Sequence, residues 1–547
     1  MGLLAFFVIM FGMFLLMSLS GKKVAKDKRK EYIEGKFGTN PLKKSIEISE
    51  NVDNYHNTFG ETEGIDAVTW NDLSMDKVFA RINNCDSSIG EELLYHKLRQ
   101  CDTAKEEDKL LEKRVSYWKE NPKKRMDMEY LLSDLGKNES AYYIPSYLDC
   151  VSEFKMPEIK RYRLQQILLL LSVFAIPLTR DIRAVTVFAV LFLFNIMTYV
   201  IAKSKYEVEL EMLGTVAFLI QAASHIARDY EQDGICDGLG EKAKLFGKIS
   251  RGVVALQRQK TLQYSGDPFA IFQDYLIGAT MWHLISYDKI MKKLEQCVPE
   301  YLDIYKIVGE LDASISIASF RDSVPYVALP EFEKDRQLKF TELYHPLLEH
   351  PVSNSMELEK SCIITGSNAS GKSTFIKAVA VNLILAQSIH TVTAKSMCLP
   401  RMHVITSMAV ADDILAGESY FIKEIKYLKR IIDSLEEDKI TFCAIDEILR
   451  GTNTEERIAA SKAILDYLST KNCISFVASH DKELTDGWND SYVNYHFSED
   501  IGEDDIVFDY LLKEGSATSK NAIKLLEFVS FPKSIITAAK QRVQEEV

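Results

Sequence analysis

One short stretch carries the sharpest chemical pattern in the chain: Gly366-Ser367-Asn368-Ala369-Ser370-Gly371-Lys372-Ser373, followed by Thr374. It satisfies G-x-x-x-x-G-K-[ST] and stands between a short apolar run, Cys362-Ile363-Ile364-Thr365, and a helix-favouring segment. Glycines let backbone N–H groups curl around phosphate oxygens, and a helix N-terminus adds its positive end. Lys372 is suited to neutralise β- and γ-phosphates, and the Ser373 hydroxyl to ligate Mg²⁺. The loop from Gly366 to Thr374 therefore predicts ATP with Mg²⁺ as the bound species.

A second apolar run, Ile440-Thr441-Phe442-Cys443-Ala444-Ile445, ends in Asp446-Glu447. Acids at the C-terminal end of a buried strand suit metal and water chemistry. Asp446 is expected in the Mg²⁺ shell, and Glu447 is placed to orient and deprotonate an attacking water. A third run, residues 473–478, ends in Ser479-His480, where a histidine can reach a γ-phosphate. Ala416-Gly417-Glu418-Ser419-Tyr420-Phe421 lies between these elements. Its residues fit a helix N-cap equally with a ligand for a second nucleotide held by a partner subunit.

Elements that alternate between apolar strands and helices from residue 361 onward position these groups. Such alternation predicts a mostly parallel sheet covered by helices. Earlier in the chain the patterns are helical, in residues 88–98, 110–118, 206–229 and 271–308. With 547 residues and 47% hydrophobic content the chain is long enough for two or three domains. Its net charge of −13 means that any nucleic-acid contact must come from a local basic patch. The nine cysteines are scattered without a Cys-x-x-Cys pair, which disfavours a disulfide framework or zinc site and suits a reducing compartment.

Apolar runs over residues 3–19, 164–178 and 184–202 have the lengths of membrane segments, the middle one being short and ending near Pro177. Lys22, Lys23, Lys26, Lys28, Arg29 and Lys30 follow the first. Lys160, Arg161 and Arg163 precede the other two, and Lys203 and Lys205 follow them. This asymmetry predicts an anchor at the cell membrane, then a hairpin with both ends cytoplasmic. The basic residues after the first run should be drawn to anionic headgroups.

The motifs together resemble the MutS family of DNA mismatch-repair ATPases. The run from Thr365 to Thr374 is similar to the family's T-G-P-N-M-G-G-K-S-T. Ala411-Asp412-Asp413 through Ser419-Tyr420-Phe421 to Glu424 is similar to A-S-D-D-…-G-x-S-T-F-…-E. Asp446-Glu447-Ile448-Leu449-Arg450-Gly451-Thr452-Asn453-Thr454 resembles D-E-x-G-R-G-T-S-T, and Ser479-His480 falls at the family's T-H. His345-Pro346-Leu347 resembles the lead-in, and the tail from Tyr510 to Arg542 the closing helix pair. Weaker likenesses cover the lever: residues 73–98 resemble its start, and Gly309-Glu310-Leu311-Asp312 through Pro330-Glu331-Phe332 its end. The resemblance implies a nucleotide-sandwich homodimer, with Ser419 reaching the partner's ATP and Asn368 steadying the phosphates beside Lys372. It also implies DNA as a ligand.

The departures are specific. Ser367, Ala369 and Ser370 replace proline, methionine and glycine, and Leu449 replaces a glycine. Ser519-Lys520-Asn521 stands where the family has S-Y-G. No room is found for the mismatch-reading domain ahead of the lever. The expected organisation is an anchor with basic segment (1–30), a helical core (31–160), a transmembrane hairpin (161–205), more helical lever (206–335) and a P-loop α/β ATPase domain with a dimerisation tail (336–547). The expected function is a membrane-anchored, DNA-binding MutS-like ATPase with its ATPase domain in the cytoplasm. An ABC-type transport or remodelling ATPase is the alternative, although its L-S-G-G-Q signature is absent.

Overall fold

The computed structural model describes residues 24, 26–44, 48–60, 64–101, 105–150, 158–247, 278–367, 370–408, 420–450, 453–488, 491–501, 506–516 and 531–545. The chain divides into two compact units. One is drawn from residues 1–61, 82–96 and 109–323, the other from residues 62–81, 97–108 and 324–547.

The first unit is helical. Its core gathers Trp118, Met128, Leu132, Leu219, Ala223, Ile304, Tyr305 and Val308, all essentially out of solvent. These come from helices that include Pro122–Leu135, Glu207–Tyr230 and Val298–Asp322. Several polar groups inside this core find partners within the unit, as most buried polar atoms do. The Trp118 indole N–H donates to Ser314 Oγ at 2.8 Å. Asp312 accepts from the Asp86 N–H at 3.0 Å, the Ser87 N–H at 2.8 Å and the Ser87 hydroxyl at 2.6 Å. Lys36 pairs with Asp86 at 2.6 Å and donates to the Asn84 carbonyl at 3.0 Å.

Two helices of this unit, Ile159–Thr179 and Ile182–Lys205, form an antiparallel pair at the place where a hairpin is expected. Arg180 makes the reversal in the left-handed region at φ 52, and the Asp181 carboxylate caps the second helix by accepting from the Arg183 N–H at 2.9 Å. Their outward surface is apolar: Phe174 is 70% exposed, Leu178 86% and Leu193 65%. The inner face is polar and closed. Asn195 donates to the Ala279 carbonyl at 2.9 Å, and the Tyr199 hydroxyl lies 2.7 Å from His283 Nδ1. Both helices have the length and composition of membrane spans. The expected first segment, residues 3–19, lies outside the described residues.

The second unit is mixed α/β. Its strands are β1 (Glu331–Phe332), β2 (Leu338–Leu343), β3 (Asn354–Leu358), β4 (Ser361–Thr365), β5 (Ser396–Leu399), β6 (His403–Ser407), β7 (Thr441–Asp446), β8 (Cys473–Ser479), β9 (Tyr492–His496), β10 (Glu499–Ile501), β11 (Ile506–Phe508) and β12 (Lys513–Glu514). The main sheet has the order β12-β9-β4-β8-β7-β6. All its neighbours run parallel except the β12–β9 pair. β4 and β8 are wholly buried, as strands covered on both faces are. A smaller sheet has the order β1-β5-β2-β3, and β10 pairs with β11 as a hairpin.

Residues 62–81 and 97–108 belong to this unit although they precede most of the helical one. The helix Ala67–Asp72 covers β6, the last strand of the main sheet. The Asp72 carboxylate accepts from the Thr406 hydroxyl at 2.7 Å and the Met408 N–H at 2.9 Å. Arg430 forms an ion pair with Asp66. The edge of β6 is thereby covered, and its Thr406 N–H donates to Thr69 Oγ1 at 3.2 Å.

Candidate active site

β4 delivers the phosphate-loop sequence at its C-terminal end, and the helix Lys372–Ile389 begins directly after it. The turn needs its glycines. Gly366 sits at φ +144 and Gly371 at φ +102, where a side chain is strained. A Cβ at Gly366 would also come within 2.8 Å of the Phe497 carbonyl. Within the loop the Ser367 carbonyl gathers three donors: the Ser370 N–H at 3.2 Å, the Ser370 hydroxyl at 2.7 Å and the Lys372 ammonium at 2.8 Å. Lys372 donates also to the Gly366 carbonyl at 2.5 Å. Burial lowers the Lys372 pKa to about 8, although Asp446 and Glu447 pull it back up.

β7 neighbours β8, which neighbours β4. Parallel register therefore brings the ends of all three strands to one place, where ligands bind in open parallel sheets. Ser373, one residue into the helix, donates its hydroxyl to Asp446 Oδ2 at 2.7 Å. Asp446 and Ser373 are the two groups expected to hold Mg²⁺, and here they touch. Both offer hard oxygen donors, which suits that ion.

Glu447 stands beside them in the left-handed region at φ 62, its N–H held by the Ala478 carbonyl at 3.0 Å. His480 Nε2 lies 2.7 Å from Glu447 Oε1, and Arg450 Nε lies 2.6 Å from Oε2. Burial pushes the Glu447 pKa up, but the His480 hydrogen bond and the Arg450 charge outweigh it and hold the carboxyl below its usual range. Glu447 is therefore an anion at neutral pH, aimed by two neighbours. Leu449 also sits in the left-handed region, at φ 59, where the resembling motif has glycine.

The structure thus brings Lys372, Ser373, Asp446, Glu447 and His480 together around the end of β4. Thr374 follows Ser373 on the same helix. Asn368, Ala369 and Ser419 lie outside the described residues. Three groups at the site were not singled out by sequence reasoning. Arg450 binds Glu447 and lies 3.7 Å from Asp446. Glu424, buried in the helix Tyr420–Asp433, accepts the Arg450 N–H at 3.0 Å and so fixes that turn. Tyr510 places its ring 3.1 Å from the position of a Gly371 Cβ and stacks on Phe508. A partly exposed aromatic face there offers a stacking surface for a nucleotide base. No local spacing announces it, because β12 and its approach return to the loop from far along the chain.

MutS domain V matches residues 362–546. The DNA mismatch repair protein MutS of Bacillus licheniformis is 29% identical over 272 residues, covering 47% of this chain and 31% of the relative. The protein of the same name from Staphylococcus aureus strain JH9 is 27% identical over 290 residues, covering 50% of this chain and 33% of the relative. The chain therefore spans about a third of the length of the relatives it matches.

Proposed function

We propose, from the match of residues 362–546 to MutS domain V, that the chain is a Mg²⁺-dependent ATPase of the MutS kind which acts as a nucleotide-sandwich dimer at a membrane. The observation that carries the chemistry is the contact of Ser373 with Asp446 beside a Glu447 that His480 and Arg450 orient. Lys372 and the N–H groups opening its helix bind the phosphates. Mg²⁺ supplies charge neutralisation of the triphosphate when bound. Glu447 takes the proton of the attacking water, and His480 orients Glu447 and reaches the γ-phosphate. Asn368 steadies the phosphates, and Ser419 serves the partner subunit's nucleotide.

Closing and reopening of the dimer would drive the helical unit against a ligand. DNA is the ligand that the relatives' names suggest. The exposed apolar surface of the paired helices supports membrane anchoring. At their base lie the exposed cations Lys160, Arg161, Arg163 and Lys205, joined through the Arg163–Asp288 pair at 2.8 Å by Lys292 of a third helix. Cations at that level suit the cytoplasmic headgroups. The same apolar surface favours one second reading, an ATPase that transports or remodels at the membrane without DNA.

Turnover by the full-length protein, measured side by side with duplex, branched and single-stranded DNA, separates the two. Stimulation together with salt-sensitive retention supports the DNA reading. Turnover indifferent to every DNA form favours the second. Retention in the membrane through an alkaline wash is expected under both, and release would end the anchoring reading.

A further inference from the structure

Position 367 is where the chain departs from the family's proline, and it is the hub of the phosphate loop. Its carbonyl receives Ser370 twice and Lys372 once. Together with the Gly366 carbonyl, the orientation of that peptide sets where the lysine points. A proline would fix φ by its ring; a serine leaves it free. The Ser367 hydroxyl, however, donates to Glu499 Oε2 at 3.1 Å. Glu499 opens β10 and pairs with Phe508 of β11. Two residues before it, the Phe497 N–H donates to the Thr365 carbonyl at 3.0 Å. The hairpin that carries Glu499 is thus seated on the start of the loop by backbone as well as side chain.

We propose that Glu499 is a positioning residue for nucleotide binding: it tethers Ser367 and so supplies the rigidity that a proline ring would otherwise give the loop. The proposal rests on the ATP-binding reading above. Glu499 acts through Ser367 and touches neither phosphate nor water in this role. Its negative charge near Lys372 opposes nucleotide binding by itself, so charge and tether have opposite signs. Only the tether predicts coupling between positions 367 and 499.

The test is a double-mutant cycle on the full-length protein in detergent, reading KM and kcat for ATP and, in parallel, equilibrium binding of ATP with Mg²⁺. Ser367→Ala is expected to weaken binding about three- to tenfold with kcat little changed, the worth of one hydrogen bond. In the Ser367→Ala background, replacing Glu499 with Ala should cause no further weakening. Glu499→Gln keeps the acceptor and should bind ATP at least as well as the parent. In a Ser367→Pro background Glu499→Ala should no longer weaken binding. Independent, additive effects at the two positions, or loss on Glu499→Gln equal to that on Glu499→Ala, would overturn the tether. A parent that binds ATP without turning it over would instead sink the hydrolysis reading, and the same fold-changes would then be read in the binding constants.

Discussion

Two clusters of buried and half-buried charge, one in each unit, use the same residue types to opposite ends. In the helical unit, Asp312, Asp86 and Lys36 are closed on one another and on backbone N–H groups. Burial pushes Asp312 up to about 6 and Glu129 up to about 7, with Asp86 adding to both rises. In the α/β unit, Asp446 and Glu447 are held by a hydroxyl, an imidazole and a guanidinium that remain partly open to solvent. The first cluster turns its charges on one another inside the fold. The second keeps oriented oxygen atoms at a surface, which is what a metal–nucleotide site requires. Carboxylate density alone does not mark a site; an orienting shell with an accessible face does.

Variants at each cluster can break this contrast, and they rank by size. Lys372→Ala removes the ammonium proposed to bind phosphate and should weaken ATP binding by about ten- to a hundredfold, measured by equilibrium binding, with the melting temperature little moved. Asp312→Ala should do the reverse. It strips three donors of their acceptor in a fully buried place. Chemical denaturation should report a loss of about 3–5 kcal/mol, with turnover per folded molecule intact. A Lys372→Ala protein that unfolds, or an Asp312→Ala protein that folds normally but cannot turn over, would undo the distinction.

Smaller effects sharpen it. Asp72→Ala leaves the Thr406 hydroxyl and the Met408 N–H without their acceptor. It should cost about 1–3 kcal/mol in the α/β unit, seen as faster amide exchange at β6. At the bottom of the scale, Lys339 and Glu357 pair at 2.8 Å while both are half exposed. Lys339→Ala should change stability by less than about 1 kcal/mol, an outcome that a thermal melt can check.

The same contrast explains how much was legible from sequence. The phosphate loop, Asp446-Glu447 and His480 were readable because each sits at the end of a short apolar strand, and parallel pairing brings such ends together. The paired apolar helices were readable from composition and from the Arg180 and Asp181 link. The Asp312 network was not, since Ser87 and Asp312 lie 225 positions apart and nothing local pairs them. Nor was the seat of Ala67–Asp72 on β6, where Asp72 and Thr406 are 334 positions apart. Tyr510 and Glu424 join the site for the same reason, by chain return, whereas Arg450 stands only three residues after the Glu447 it binds.

Glu447 is central as the proposed base that His480 and Arg450 aim. ATP turnover and ATP binding, measured together on the full-length protein and on Glu447→Gln, test that most directly. The expected result is turnover reduced about a hundredfold or more with ATP still bound, because the amide keeps the shape and loses the proton acceptor. Unchanged turnover in Glu447→Gln would contradict it.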